Sequence, residues 1–150
     1  MLLEQKYIFI VEDNPQNRVV FKLALIRHGA VVEFERWGQE SIQQLKRLPQ
    51  IDLIILDLML AYGISGFDLF DEIRALPRFE DVPIIAVSAM DSALAIPKLQ
   101  SKGFSGFIAK PVNIDLFPKQ IARIIRGERI WYSSVAPLYE NPTHDINMEK

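Results

Sequence analysis

The sequence contains no cysteine. That excludes disulfide bridges, thiolate zinc sites and cysteine nucleophiles at once, and it suits a reducing compartment such as the cytoplasm. A marked excess of one charge is also missing. The formal net charge is −2, so no general attraction to nucleic acid or to an anionic membrane is expected. No uninterrupted apolar run reaches the ~18–20 residues that cross a bilayer. The opening MLLEQKYIFIV has no basic n-region and so does not read as a secretory signal. Internal repeats and low-complexity tracts are likewise missing. What remains is 150 residues, 49% hydrophobic and 24% charged, a composition and length suited to a single globular domain with a sizeable core.

Two kinds of segment alternate along the chain. Tyr7–Val11, Val31–Glu35, Asp52–Asp57, Val82–Ala89 and Gly106–Ala109 are short, nearly continuous apolar runs, as strands buried on both faces should be. Between them lie helical patterns. The first has Asn14 as N-cap, Pro15 at the first helical position and Gly29 as its stop. Ile42, Leu45 and Leu48 mark the second, and Leu69, Phe70, Ile73 and Leu76 the third, closed by Pro77. Pro97 would remove a helical hydrogen bond, so the fourth helix is expected to be short and to start near it. Phe117, Ile121, Ile124 and Ile125 line one face of the fifth, with Gly127 as its cap. Five strands alternating with five helices give an α/β, (βα)5 doubly wound parallel sheet in three layers, flavodoxin-like, with strand order 2-1-3-4-5. Residues 128–150 break the pattern and read as an extended tail, either partly disordered or packed on the surface through Trp131, Tyr132 and Tyr139.

Ligands of such sheets bind beyond the carboxyl ends of the strands. Strand one ends in Glu12 and Asp13, strand three at Asp57, strand four at Ser88 and strand five at Lys110, before Pro111. Clustered carboxylates repel one another unless a cation screens them. A hard divalent ion such as Mg2+, which takes a few carboxylates, waters and a phosphate, meets that need. Phosphoryl transfer asks mainly for an in-line nucleophile and positive charge around the equatorial oxygens. Asp57 could therefore act as nucleophile and form an acyl phosphate, with Mg2+ and Lys110 neutralising the group and Ser88 donating to it. Taken singly, each of these residues has an ordinary structural reading, as a turn acid, a buried hydroxyl or a surface lysine. Their shared position at one end of successive strands favours a site.

The stretches IFIVEDNPQNR, LIILDLML, PIIAVSA and GFIAKPV, in this order and spacing, resemble the response regulator receiver domains of two-component signalling. The resemblance spans about Lys6 to Gly127 and makes 1–127 the receiver domain and 128–150 a tail without an output domain. It implies phosphorylation of Asp57 by a sensor histidine kinase or histidine phosphotransfer protein. It further implies Mg2+ on Asp13, Asp57 and the Met59 backbone carbonyl, with Glu12 acting largely through water. Ser88 and Lys110 would contact the phosphoryl group, Phe107 would be the switch aromatic, and Lys110–Pro111 would be a cis peptide. The chain departs from the family pattern at Ala61, where a proline is usual, and in a loop one residue longer before Gly66.

The implied activity is a cytoplasmic phosphorelay switch that catalyses transfer onto itself and is not a turnover enzyme. It would act on a downstream protein target, with no direct nucleic-acid or membrane contact and with a possible homodimer through the last helix. Two alternatives compete. A pseudo-receiver scaffold would share the fold without being phosphorylated, but such proteins usually lose an acid or the lysine, and all are present here. A haloacid-dehalogenase-like phosphatase needs a second acid two residues after its nucleophile, where this chain has Met59. Lys119, Arg123 and Arg126 are expected to form a solvated helix face, and His144–Asp145 is too isolated to hold a metal.

Overall fold

A computed structural model describes residues 1–60 and 63–133. Its elements run β1 (Tyr7–Val11), α1 (Pro15–Ile26), β2 (Val31–Glu35), α2 (Ser41–Arg47), β3 (Leu53–Leu56) and α3 (Gly66–Arg74). A 3₁₀ turn (Pro77–Phe79), β4 (Ile84–Ser88), α4 (Ser92–Lys102), β5 (Gly106–Ala109), α5 (Phe117–Ile125) and β6 (Ile130–Tyr132) follow. All strand pairs are parallel, and the order is β2-β1-β3-β4-β5-β6. The expected doubly wound sheet is present, extended by one strand.

Alternation across each strand explains the unbroken apolar runs. Phe9 and Val11 enter one core with Leu45 of α2, Phe70 of α3 and Leu99 of α4. Ile8 and Ile10 enter the other with Phe21 of α1 and Ile121 of α5. Both faces are therefore dry, and residues at the strand ends are the first that can be polar without cost.

The caps set where chain meets site. Asn14 Oδ1 accepts from Asn17 N at 2.9 Å, so α1 starts immediately after Asp13. Arg78 anchors the far end of α2 by donating to the carbonyls of Leu45, Lys46 and Leu48.

Three expectations are corrected. Helix α4 does not start at Pro97 but at Ser92, with Pro97 inside it. Asp91 Oδ1 caps it by accepting from Ala93 N at 3.0 Å, buried Ala95 and Leu99 hold its inner face, and Gly103 ends it at φ 99°. Good ends and packing outweigh one missing hydrogen bond. Within 128–150, residues 130–132 form β6, and Ile130 and Trp131 are core residues rather than surface packing. Arg123 is buried, not solvated: its Nε and Nη2 donate to Glu128 Oε1 at 3.0 and 2.7 Å. Lys119 and Arg126 are exposed. Ala61, Tyr139 and the His144–Asp145 pair lie outside the described residues.

Candidate phosphoacceptor and metal site

Four strand ends converge, as the polar pattern predicts. Glu12 and Asp13 follow β1, Asp57 follows β3, Ser88 closes β4, and Lys110 follows β5. Backbone bonds fix their mutual heights: Asp57 N donates to Val11 O at 3.1 Å, and Lys110 N to Ser88 O at 3.0 Å. Lys110 Nζ lies 2.8 Å from both Glu12 Oε1 and Asp57 Oδ2. Asp57 Oδ1 accepts from Met59 N at 3.1 Å, and Glu12 Oε2 from Asn14 N at 3.1 Å. The aspartate inside an apolar run is thus neutralised by a lysine two strand positions away in the sheet and by its own loop.

Asp57 and Glu12 are buried, at 5% and 1% exposure, and Asp13 is partly so. Burial pushes the Glu12 carboxyl above its ordinary value, against the pull of the Lys110 ammonium and the Asn14 N–H, while the Asp57 charge adds to the rise. Burial by itself would lower the Lys110 ammonium. Its hydrogen bond to Asp57, its contact with Glu12 and the charges of both outweigh that, and its pKa is raised.

One oxygen is left over. Glu12 Oε1 is buried and has only the Lys110 ion pair, with no aligned hydrogen bond. Ligand atoms of Glu12, Asp13 and Asp57 all lie within 4.8 Å of one another. An under-satisfied carboxylate oxygen within an all-oxygen acidic cluster is a donor set suited to a hard divalent cation.

Ser88 is fully buried, and its Oγ accepts from Met90 N at 3.3 Å. Phe107 is fully buried in β5, in register with Ala86 of β4 on one side and Trp131 of β6 on the other. Met59 enters the site through its backbone, which also bridges to Ser65. The Lys110–Pro111 peptide is cis, as the resemblance implies.

Sequence reasoning missed two contributors. Arg18 Nη1 donates to the carbonyls of Glu12 at 3.1 Å and Asp13 at 3.2 Å, clamping the acidic pair from the first turns of α1. Its position five residues after Asp13, on a helix that starts there, was the available signal. Gly66 is the other. A Cβ there would stand 2.3 Å from Asp57 O, so only glycine lets α3 start against the loop carrying the aspartate.

A family model for the response regulator receiver domain matches residues 8–122. An uncharacterized 14.6 kDa protein of Leptolyngbya boryana is 29% identical over 125 residues, covering 83% of this chain and 90% of that protein. The transcriptional regulatory protein AfsQ1 of Streptomyces coelicolor is 30% identical over 123 residues, covering 81% of this chain. The match spans 52% of AfsQ1, about half its length. Among solved structures, the non-phosphorylated HemR receiver domain from Leptospira biflexa is 29% identical, with a TM-score of 0.72. It covers 83% of this chain and 98% of that one. With the acids, hydroxyl and lysine at the strand ends and a family match over most of its length, this chain belongs to the response regulator receiver domains of two-component signalling.

Proposed function

We propose that the chain accepts a phosphoryl group on Asp57 from a histidine kinase or histidine phosphotransfer protein and changes its protein contacts as a result. The observation that carries this reading is the position of Lys110 Nζ, 2.8 Å from both Glu12 Oε1 and Asp57 Oδ2. It neutralises the acids before transfer and is in place for the added charge afterwards. The Asp57 carboxylate attacks phosphorus in line; the bond to the donor imidazole nitrogen breaks as the bond to Asp57 forms. Lys110 then redistributes its contacts toward the phosphoryl oxygens, and the Ser88 hydroxyl, at the end of the neighbouring strand, is available to donate to them. Glu12, Asp13, Asp57 and the Met59 carbonyl would hold Mg2+, which when bound supplies positive charge to the transferring group. The chain would undergo this transfer once per signal rather than turn over a substrate.

The donor would approach over α1. This helix starts beside Asp13 and exposes Val19, Val20, Leu23 and Ile26, an apolar stripe on the element that leads away from the site. Lys119 of α5 and Arg126 at its C-cap are exposed, so a homodimer through that helix would bring these charges to its contact. Among the described residues, no helix is long and apolar enough to cross a membrane.

Calorimetric titration with Mg2+ tests the metal half of this reading. The wild-type chain is expected to bind one ion, and Asp13→Asn to lose most of the heat. Equal binding by the two proteins would remove the acidic cluster from the mechanism.

A further inference from the structure

The turn from β1 into α1 sets two of the three clustered acids side by side, and it holds them by different means. Glu12 is tied to the sheet through its N, which donates to Glu35 O at 3.0 Å, and its carboxylate is held by Lys110 and by Asn14 N. Asp13 stands one residue farther on, past the strand and ahead of the helix, and Pro15 brings no N–H to brace that turn. Arg18 braces it. Its Nη1 donates to Glu12 O at 3.1 Å and to Asp13 O at 3.2 Å. Those two carbonyls belong to the peptide planes on either side of the Asp13 Cα. A single nitrogen that holds both planes restricts the φ and ψ between them, and so the direction in which the short aspartate side chain leaves the backbone. The clamp is anchored at its other end as well. Arg18 N donates to Asn14 O at 3.1 Å, and the turns that follow carry Phe21, Ala24 and Leu25 into the core.

How firmly the donors are held decides which hard cation they suit. Ligand atoms of Glu12, Asp13 and Asp57 lie within 4.8 Å of one another. That spread admits two ion sizes, because opposed oxygens stand about 4.2 Å apart around Mg2+ and about 4.8 Å apart around Ca2+, twice the respective bond lengths. Mg2+ demands a near-ideal octahedron, whereas Ca2+ accepts a variable number of oxygens in loose geometry. Donors fixed in place favour the first ion. Donors free to drift lose that preference while still serving the second.

We propose that Arg18 is a positioning residue for the divalent cation: by holding both peptide planes of Asp13, it gives the rim its preference for Mg2+ over Ca2+. This rests on the reading of the rim as an Mg2+-dependent phosphoacceptor site, and adds which ion the rim prefers and which residue decides it. Arg18 is itself a cation, so its charge alone opposes any metal ion nearby. On electrostatic grounds its removal would tighten both ions. Positioning has the opposite sign for Mg2+, and that difference separates the two roles.

Mg2+ and Ca2+ are each titrated by calorimetry into the full chain as wild type, Arg18→Met and Arg18→Lys, with urea denaturation of each protein as the check on folding. The wild type is expected to bind Mg2+ more tightly than Ca2+. Arg18→Met is expected to weaken Mg2+ about tenfold, as loss of a residue that orients metal ligands does, and Ca2+ by about twofold or less. The ratio of the two dissociation constants therefore falls about fivefold. Arg18→Lys keeps the charge but replaces the planar fork with one rotatable ammonium. It is expected to show a smaller fall in the same direction, and it decides the matter if Arg18→Met does not fold. Equal wild-type binding of the two ions, an unchanged ratio in folded Arg18→Met, or tightening of both ions overturns the positioning role and leaves the metal site standing. A wild-type chain that binds neither ion overturns both.

Discussion

Lys110 and the acids it faces form a network in which each charge is tolerable because of the others. Glu12 is 1% and Asp57 5% exposed, so removing the ammonium strands two carboxylates in a poorly solvated rim. Fully buried pairs cost about 3–5 kcal/mol when one partner is lost; with Asp13 open to water, Lys110→Met is expected to cost about 2–3 kcal/mol at neutral pH in magnesium-free buffer. The pH dependence has a definite sign. The folded-state pKa of Lys110 lies above its ordinary 10.5, so its contribution is fully present below 10.5 and is lost as pH rises through the raised value. Urea denaturation of both proteins should therefore show a gap that is constant through the neutral range and closes on the alkaline side. A gap that widened with pH would assign the lysine a different role. Glu12, also raised, works in the opposite practical sense: its contribution is present below 4.5 and lost as pH rises through its folded value, so at neutral pH the ionised acid is a cost that a bound cation would relieve.

At the scale of elements, α4 and α1 carry the sharpest consequences. Pro97 sits inside α4, where Ala93 O loses the amide that would bond to it. Because Pro97 is exposed and the helix ends are well made, Pro97→Ala is expected to stabilise the fold by up to about 3 kcal/mol, read from chemical denaturation. A neutral or destabilising result would mean that the proline ring packs usefully against its groove beside Phe67. On α1, Leu23 is 55% exposed and four residues from Val19, so Leu23→Asp should leave folding intact. It is expected to slow phosphotransfer from the cognate protein donor about tenfold, the equivalent of about 1.4 kcal/mol of docking, while transfer from acetyl phosphate is unchanged. Equal slowing with both donors would place the defect in the site and not in docking.

These elements also show what could be read from residues alone. The four inner strands were legible because burial on both faces demands unbroken apolar runs such as Ile54–Leu56, and Asn14, Pro15 and Gly29 announce α1 by chemistry specific to helix ends. Glu12, Asp13, Asp57, Ser88 and Lys110 were legible because the fold fixes which strand end is the binding edge. Strand β6 was not. Ile130–Tyr132 is too short to show a period, and its conformation is imposed by the free edge of β5 rather than by local preference. Arg123 misled for a related reason: its partner Glu128 lies past the helix end, where face-by-face counting stops. The extent of α4 is not legible from Pro97 alone, because Asp91, Ala95, Leu99 and Gly103 together outweigh the one hydrogen bond that the proline removes.

At the scale of the whole molecule, a parallel sheet dry on both faces gathers its polar chemistry at one rim, and that rim is arranged for a negative charge that comes and goes. Everything proposed here depends on Asp57 accepting that charge. The most direct measurement is the intact mass of the chain after incubation with acetyl phosphate and Mg2+, for wild type and Asp57→Asn. The account predicts one added phosphoryl group in the wild type, dependent on Mg2+, and none in the variant. A wild-type mass that never changes, or an added group that persists in Asp57→Asn, would contradict it.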